Sequence, residues 1–479
     1  MILFPILLAF ITWLLILWLC NQHKYLNIFE QLALWFVAAL SLFVFELFIW
    51  GIIFDKLSLI WPIITFILSL WLLIYKNKKQ KWFIKEIIQY IKSDFVNIKT
   101  QFKWFKSRKQ YLMLGILVYV LLKLFIVFSI NVNMPTFDED AVVWWDIKTK
   151  IFTENKSLVL DKNSPEYFWT DYGRYPFASI IDTYFMLPYG QYINWFGNII
   201  SPLIYILSLL LLFGIFFRKT NIFFSILTLY IFTSIPFVFI HWFGSYRNFP
   251  SWVILFIFIF YLIDQLFNIE RIHWNNIKII LPLLFIGFLS SIIRNEGVML
   301  TGIMLLAVIF LYSIFKKLEI RDIKQALFLF IPIILGFILN KIIFSFYPIG
   351  SVLNTWGNGG TKINIKLLNS FFTNIGEPGV FAAPFQQMFY HSDYSLLFLI
   401  FTIVLLVFSL NYKKMKWVWT IFAITLFLII IFMFILYSNF QWLGLLTHYA
   451  FIRYPVSMIL FLIYPILYVP YIIYESRKN

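Results

Sequence analysis

The sequence predicts an all-α protein that crosses a membrane many times. Of its 479 residues, 62% are hydrophobic and 13% are charged, and the mean hydropathy is +0.86. A chain of this composition lacks the polar surface that a water-soluble globule needs. Two further observations support the prediction, namely the spacing of the hydrophobic runs and the position of the basic residues between them.

The hydrophobic runs predict about thirteen membrane-spanning helices, because each has roughly the 17 to 25 residues that a bilayer core of about 30 Å requires. They lie near 2–20, 28–54, 57–75, 111–132, 192–217, 221–240, 250–267, 278–293, 297–315, 326–347, 393–411, 417–437 and 455–474. The first run has neither a basic start nor a small-residue cleavage site, so we expect it to be retained as a helix. Between 278–293 and 297–315, a charged quartet predicts a hairpin tip, because such residues are costly in lipid.

Lys and Arg predict the orientation, since positively charged loops stay in the cytoplasm. They occur at Lys24, from Lys76 to Lys109, at Arg218 and Lys219, from Arg271 to Lys278, from Lys316 to Lys324, from Lys413 to Lys416, and at Arg477 and Lys478. With thirteen spans, all these segments fall on one side, which places the N-terminus outside and the C-terminus in the cytoplasm. The net charge of +16 therefore follows from topology, and its spread over many loops argues against nucleic-acid binding.

The basic segment 76–109 divides the chain into three parts. Apolar residues recur in it at helical spacing, with lysines at most of the remaining positions. This pattern predicts an amphipathic helix on the inner membrane surface. We therefore expect an accessory transmembrane module at 1–75, a cytoplasmic linker at 76–109 and a larger transmembrane region at 110–479. Two long outer loops, 133–191 and 347–393, belong to that region, and the first is expected to contain a further amphipathic helix.

An acidic, tryptophan-rich cluster opens the first outer loop. It contains Asp138, Glu139 and Asp140, and Trp144, Trp145 and Asp146 follow shortly after. Adjacent carboxylates repel one another unless a cation or another partner offsets their charge. The alternative is that they cap the next helix, since acids favour helix N-termini. Capping the following helix would require only one acidic side chain, so three adjacent acids indicate a functional site.

The other predicted outer segments also carry charged and aromatic residues. They include Lys148, Lys150, Asp171, Asp182, Tyr246, Arg247, Arg294, Glu296, His448 and Arg453. Structural roles remain open for two of these positions. Arg294 and Glu296 could form an ion pair that closes a hairpin, and Arg453 could be a cation that reaches from a helix end to the membrane surface. The histidines show no zinc-binding spacing.

The order of these motifs resembles the GT-C glycosyltransferases, the superfamily that includes protein O-mannosyltransferases and lipid A aminoarabinose transferases. The matching elements are Asp140-Ala141, Trp145, Lys148-Thr149-Lys150, Asp171-Tyr172 with Tyr175-Pro176, Tyr246-Arg247-Asn248-Phe249-Pro250 and Asn295-Glu296-Gly297. The similarity is to a bacterial branch and covers residues from about 111 to 460. At Asn248 the family often carries an Asp.

This resemblance implies a GT-C-like fold in a bacterial cytoplasmic membrane, with the active site on the extracytoplasmic face. The donor would be a polyprenyl-phosphate sugar, and the acceptor would be a hydroxyl group on a lipid, a glycan or a protein. A carboxylate would take the acceptor proton during a single inverting displacement. Cations would stabilise the phosphate as it leaves.

We assign residues to these roles as follows. Asp138 or Asp140 is the expected base, with Glu139 in the same acidic set. The donor phosphate is expected to bind Arg453, Arg294 and Lys148, and substrate is expected to bind Trp145, Asp171, Tyr246, Arg247, Glu296 and His448. Asp138 and Asp140 are also candidate ligands for Mg²⁺ or Mn²⁺, which prefer oxygen donors, although the sequence establishes no cofactor.

Three other function classes remain open. A polysaccharide polymerase or ligase would also hold arginines and acids on outer loops, but it would transfer a preassembled glycan from a lipid diphosphate. A lipid-linked sugar transporter or flippase would need ionisable residues or broken helices within the membrane. Lys123 is one of the few charges within a predicted span. A non-catalytic scaffold is the remaining possibility.

Overall fold

The computed structural model describes most of the first 346 residues. The described ranges are 3–20, 26–80, 83–103, 107–133, 145–171, 176–198, 200–234, 277–293, 297–316 and 327–346, with short stretches within 253–262 and isolated positions at 403, 407, 469, 473 and 474. Within these ranges the chain forms helices joined by turns and irregular segments, and it forms no strand. The predicted all-α fold class is confirmed for this part of the chain.

The helices that carry the argument are numbered in chain order. They are α1 (Leu3–Leu19), α2 (Ile28–Phe54), α3 (Ile60–Lys79), α4 (Phe83–Lys103), α5 (Ser107–Asn133), α6 (Ile147–Asn155), α7 (Tyr167–Asp171), α8 (Phe177–Met186), α9 (Asn194–Gly197), α10 (Ile200–Lys219), α11 (Ile222–Ser234), α12 (Ile277–Ile292), α13 (Gly297–Lys316) and α14 (Ile331–Phe346). A 3-10 turn, Leu327–Phe330, leads into α14.

Several helices are long and apolar enough to cross a membrane. Among the described residues, four such segments are Ile28–Phe54, Ile60–Lys79, Gln110–Asn133 and Pro202–Lys219, and shorter apolar helices accompany them. Much of the apolar surface of α3 and α5 is exposed, as expected of helices that face lipid. The chain is therefore consistent with a membrane protein, and the count of about thirteen spans stays a prediction. The last three predicted spans lie almost wholly outside the described residues.

The span predicted at 192–217 begins later than expected. Residues Asn194–Gly197 form the separate short helix α9, and α10 begins only at Ile200. A continuous apolar run does not reveal such a break, because hydropathy reports composition and not backbone direction.

Helix α2 occupies the centre of the described bundle, where it contacts α1, α3, α8, α10 and α12. Its apolar residues Phe43, Val44 and Leu47 are fully buried. The hydroxyl of Ser41 donates to the carbonyl of Val37 at 2.6 Å and to that of Phe285 in α12 at 3.1 Å. A polar side chain is thus accommodated inside the bundle by backbone carbonyls. Helices from both sides of the predicted linker therefore share one core, while the division into domains stays a prediction.

An ion pair and a helix cap hold the beginning of α2 against α10. Asn27 and Glu30 form a capping box, in which each side chain accepts a hydrogen bond from the other residue's backbone N–H. The Asn27 amide also donates to the Gly214 carbonyl at 2.7 Å. Arg218 donates to both carboxylate oxygens of Glu30, at 2.6 and 3.1 Å. Glu30 is fully buried, so its charge depends on this bidentate partner.

Helix α4 closes the same end of the bundle. Its Asp94 carboxylate accepts a hydrogen bond from the backbone N–H of Ile28 at 2.9 Å, and its Gln101 carbonyl accepts one from the N–H of Ile222 at 2.8 Å. Side chains of α4 therefore satisfy orphan donors at the first residues of both α2 and α11. Phe83 of α4 is buried near the Lys76 ammonium, which lies 4.1 Å from the centre of its ring.

Contacts at the opposite end involve the loop that follows α5. The N–H of Leu57 donates to the carbonyl of Lys156 at 2.6 Å. Tyr184 of α8 donates to the Pro5 carbonyl at 2.8 Å, and Tyr167 of α7 donates to the Phe346 carbonyl. We call this the loop end, and the end closed by α4 the basic end. The assignment of the basic end to the cytoplasm stays a prediction.

Helices α12 and α14 pack closely because Gly336 has no side chain. A Cβ atom at this position would lie 2.2 Å from the Ser291 hydroxyl oxygen and 3.0 Å from the Ser291 Cβ. We expect Gly336→Ala to lower the free energy of unfolding by about 1–3 kcal/mol through overpacking, as measured by thermal unfolding in detergent. Gly115→Ala in α5 is the control, because a Cβ there meets no atom within 4 Å. Equal stability of the two variants would contradict the close packing.

Candidate functional site

The first predicted outer loop folds back against the bundle as α6, α7 and α8. All ten residues of α8 are buried, because α1, α2, α6 and α9 contact it. The sequence predicted an amphipathic helix in this loop. Helix α6 buries Lys148 together with Phe152 and exposes Lys150, so its buried side is not purely apolar, and α8 has no exposed face.

The backbone carbonyl of Trp145 joins α6 to α8. It accepts hydrogen bonds from the Thr149 hydroxyl at 2.9 Å and from the Ser179 hydroxyl at 3.0 Å. The Trp145 side chain is 4% exposed and clusters with Ala178 of α8. Trp145 therefore fixes the start of α6 on α8 through both its backbone and its ring.

Three charged residues are buried on or directly beside these two helices. Lys148 is 1% exposed, Asp146 is 8% exposed and Asp182 of α8 is 1% exposed. Each takes part in a hydrogen bond or an electrostatic interaction. Asp146 precedes α6, but its side chain does not cap that helix. Burying charges costs several kcal/mol per ion before compensation, so a concentration of them at one helix pair marks a candidate functional site.

We call Asp146, Lys148, Ser179 and Asp182 the loop cluster. Its members lie on or beside helices that are in contact, at the loop end of the bundle. The cluster follows the acidic segment Asp138 to Asp140 closely in sequence. It combines a cation, two carboxylates and a hydroxyl in a region from which water is largely excluded, where electrostatic interactions are strong.

Other acids of the same loop have ordinary surface environments. Asp161 is exposed and accepts a hydrogen bond from the Asn163 N–H at 2.9 Å. The Ser164 hydroxyl donates to Glu166 and lowers the pKa of that carboxyl below its usual value. These acids cap local turns, so the buried acids of the loop cluster are distinct from them.

Among the predicted site residues, the structure describes the side chains of Trp145, which lies just before α6, and of Lys148, which lies within it. Asp171 ends α7, and only its backbone is described. The remaining predicted residues lie outside the described part of the chain: Asp138, Glu139, Asp140, Tyr246, Arg247, Arg294, Glu296, His448 and Arg453. Their roles, including the proposed metal ligation by Asp138 and Asp140, stay predictions. Among the described residues, no group of three or more His, Cys, Asp or Glu side chains could hold a metal ion.

Sequence reasoning overlooked Glu46 in the middle of α2. Its carboxylate accepts a hydrogen bond from the Thr65 hydroxyl of α3 at 2.6 Å. The signal was available, because an acid within a long apolar run is rare and often functional. In contrast, Lys123, which the sequence offered as a possible transport residue, donates to the carbonyl of Thr233 at 3.0 Å. A cation near the last turn of α11 has an ordinary structural role there.

Comparison with known proteins adds no family assignment. No protein-family model, curated protein or solved structure matches the chain. The functional argument therefore depends on the residues themselves.

Proposed function

We propose that this protein is a membrane glycosyltransferase of the GT-C type. It transfers a sugar from a polyprenyl-phosphate donor to a hydroxyl group on the extracytoplasmic side of a bacterial cytoplasmic membrane. The basic end of the bundle, with α4 and Arg218, would face the cytoplasm. The loop end would hold the active site.

The observation that carries the proposal is the burial of the loop cluster inside an apolar helical bundle. Lys148 and Asp182 are each 1% exposed, and a structural loop gains little from burying such charges. A glycosyl transfer from a lipid phosphate needs a carboxylate base and a cation in a water-poor site. The loop cluster supplies a cation and carboxylates directly after the segment that contains the proposed base.

The proposed mechanism is a single displacement. Asp138 or Asp140 removes the proton from the acceptor hydroxyl as its oxygen attacks the anomeric carbon. The bond from the anomeric carbon to the phosphate oxygen breaks, and the configuration inverts. Lys148, with Arg294 and Arg453, offsets the charge that develops on the polyprenyl phosphate.

The test is a transfer assay with the purified protein in lipid nanodiscs. Radiolabelled polyprenyl-phosphate mannose, glucose and aminoarabinose are offered separately, with membrane extract as the source of acceptors. Transfer of label from one of these lipids, with release of polyprenyl phosphate, is the expected result. Consumption only of lipid-diphosphate oligosaccharides would instead establish a polymerase or ligase. If the protein moves labelled lipid between leaflets without forming a glycoside, it is a transporter and the proposal fails.

A further inference from the structure

Only one face of α4 packs on the bundle. Ile87 is buried there. Asp94 and Gln101 follow it at intervals of seven residues, and their side chains bind the first N–H groups of α2 and α11. Seven residues are about two helical turns, so these three side chains share one face. Most side chains on the other faces of α4 are exposed.

Beside the packed face, α4 carries exposed apolar residues. Ile84, Ile88 and Phe95 follow one another at helical spacing, and all three are exposed, with Phe95 at 59%. We call these three residues the apolar stripe. Apolar side chains that stay exposed together in a folded protein indicate contact with a membrane or with another protein.

A line of lysines borders the apolar stripe. Lys85, Lys92 and Lys99 are exposed and lie seven residues apart, so they follow one face of α4. We call them the lysine line. Lys92 comes four residues after Ile88 and Lys99 four residues after Phe95, so each is the surface neighbour of a stripe residue. Cations beside apolar side chains match a membrane surface, where phosphate groups lie above acyl chains.

The helices on either side of α4 tie it to the membrane surface. Residues 80–82 join it to α3, which is long and apolar enough to cross a membrane and whose last turn is rich in lysine. Residues 104–106 join it to α5, which contains the candidate span Gln110–Asn133. Three residues can bridge at most about 14 Å. Both ends of α4 therefore lie close to the ends of candidate spans, at the level of lipid headgroups.

We propose that anionic phospholipids bind along the lysine line of α4 and thereby stabilise the basic end of the bundle. Their phosphate groups attract the ammonium groups, and their acyl chains cover the apolar stripe. The position of α4 between two candidate spans favours a lipid over a protein partner. Because Asp94 and Gln101 bind the starts of α2 and α11, a lipid that holds α4 in place also holds these two helix ends. This inference is independent of the proposed sugar transfer.

The experiment titrates the purified full-length protein in detergent with phosphatidylglycerol, and in parallel with phosphatidylcholine, which has no net charge. Native mass spectrometry counts bound lipid, and circular dichroism gives the melting temperature. We expect phosphatidylglycerol to raise the melting temperature of the wild type more than phosphatidylcholine does. In Lys92→Gln with Lys99→Gln, the phosphatidylglycerol concentration for half of this rise should increase about 10- to 30-fold, since each lysine at an anionic surface contributes roughly a fivefold factor.

Lys156→Gln with Lys162→Gln is the matched control for the lysine variant. It also removes two exposed lysines, but they lie in the loop that follows α5, at the opposite end of the bundle. We expect it to respond to phosphatidylglycerol as the wild type does. A general effect of lower net charge would instead appear equally in both double variants.

Asp94→Ala tests whether the lipid acts through the start of α2. Alanine removes the acceptor for the Ile28 N–H and leaves the lysine line and the apolar stripe unchanged. The amount of bound phosphatidylglycerol should equal that of the wild type, whereas the rise in melting temperature should be smaller, because α4 then holds only α11.

Three results would overturn the inference. The first is a wild type that phosphatidylglycerol stabilises no more than phosphatidylcholine does. The second is a lysine variant that needs the same phosphatidylglycerol concentration as the wild type or as the control variant. The third is full stabilisation of Asp94→Ala, which would show that bound lipid does not act through the contact between α4 and α2.

Discussion

Replacing Asp138 or Asp140 by asparagine is expected to reduce the rate of sugar transfer by about 100- to 10,000-fold, the usual contribution of one positioned base. The substitution removes the proton acceptor and keeps the size of the side chain. Affinity for the polyprenyl-phosphate sugar should change little, because the base acts on the acceptor hydroxyl. Single-turnover transfer and equilibrium donor binding, measured on the same preparation, check both parts of this expectation.

Asp161→Asn provides the matched control for these variants. Asp161 belongs to the same loop but is exposed and caps a local turn, and asparagine can accept the same hydrogen bond. It should transfer sugar at the wild-type rate. If all three Asp→Asn variants retain wild-type transfer, neither Asp138 nor Asp140 is the base. Loss of donor binding with slower transfer would instead indicate a role in holding the donor or a metal ion.

Replacing Arg218 by methionine is expected to lower the free energy of unfolding by about 3 kcal/mol, because it leaves the buried Glu30 carboxylate without its cation. This value is at the low end of the destabilisation that follows when one partner of a buried ion pair is removed, because the Arg218 side chain is 30% exposed while Glu30 is fully buried. Sugar transfer should be unaffected at temperatures where the variant is folded, because this pair lies at the basic end. Thermal unfolding in detergent, monitored by circular dichroism, measures the change.

The double variant Glu30→Gln with Arg218→Met tests the physical reason for that loss. Removing both charges should recover most of the stability, because the main cost in the single variant is an uncompensated buried charge. Gln at position 30 can still accept the hydrogen bond from the Asn27 N–H that Glu30 accepts now. If the double variant is as unstable as Arg218→Met alone, packing of the arginine side chain is responsible instead.

The long helices were predictable because hydrophobic length is a property of the sequence alone. The run at 28–54 coincides with α2, and the runs at 2–20 and 111–132 fall within a few residues of α1 and α5. The charged quartet after residue 293 correctly separated α12 from α13. Each of these boundaries is marked by a charge or by a change of composition.

The folding of the first outer loop could not be predicted in the same way. Helix α8 has ten residues, too few to span a bilayer, and its periodicity does not reveal that helices on every side cover it. Similarly, nothing in the neighbouring sequence shows that Asp182 is buried, because α1 and α2, far away in the chain, help to cover α8. Burial is a tertiary property, whereas hydropathy is local.

The candidate site was predictable only in part, for a similar reason. Lys148 and Trp145 were found because they belong to a dense cluster of charged and aromatic residues. Ser179 was not, since its hydrogen bond to the Trp145 carbonyl depends on the packing of α8 against α6. Glu46 did give a signal in the sequence, because it is an acid within the long apolar run of α2.

The bidentate pair between Glu30 and Arg218 constrains the order in which the protein can be assembled during synthesis. The two residues are 188 positions apart, so α2 leaves the ribosome long before its cation is made. Until α10 arrives, the Glu30 carboxylate must keep its contact with water, and the beginning of α2 cannot settle into the position it holds in the finished bundle. The beginning of α2 therefore reaches its final packing only after α10 has been synthesised, although it leaves the ribosome much earlier.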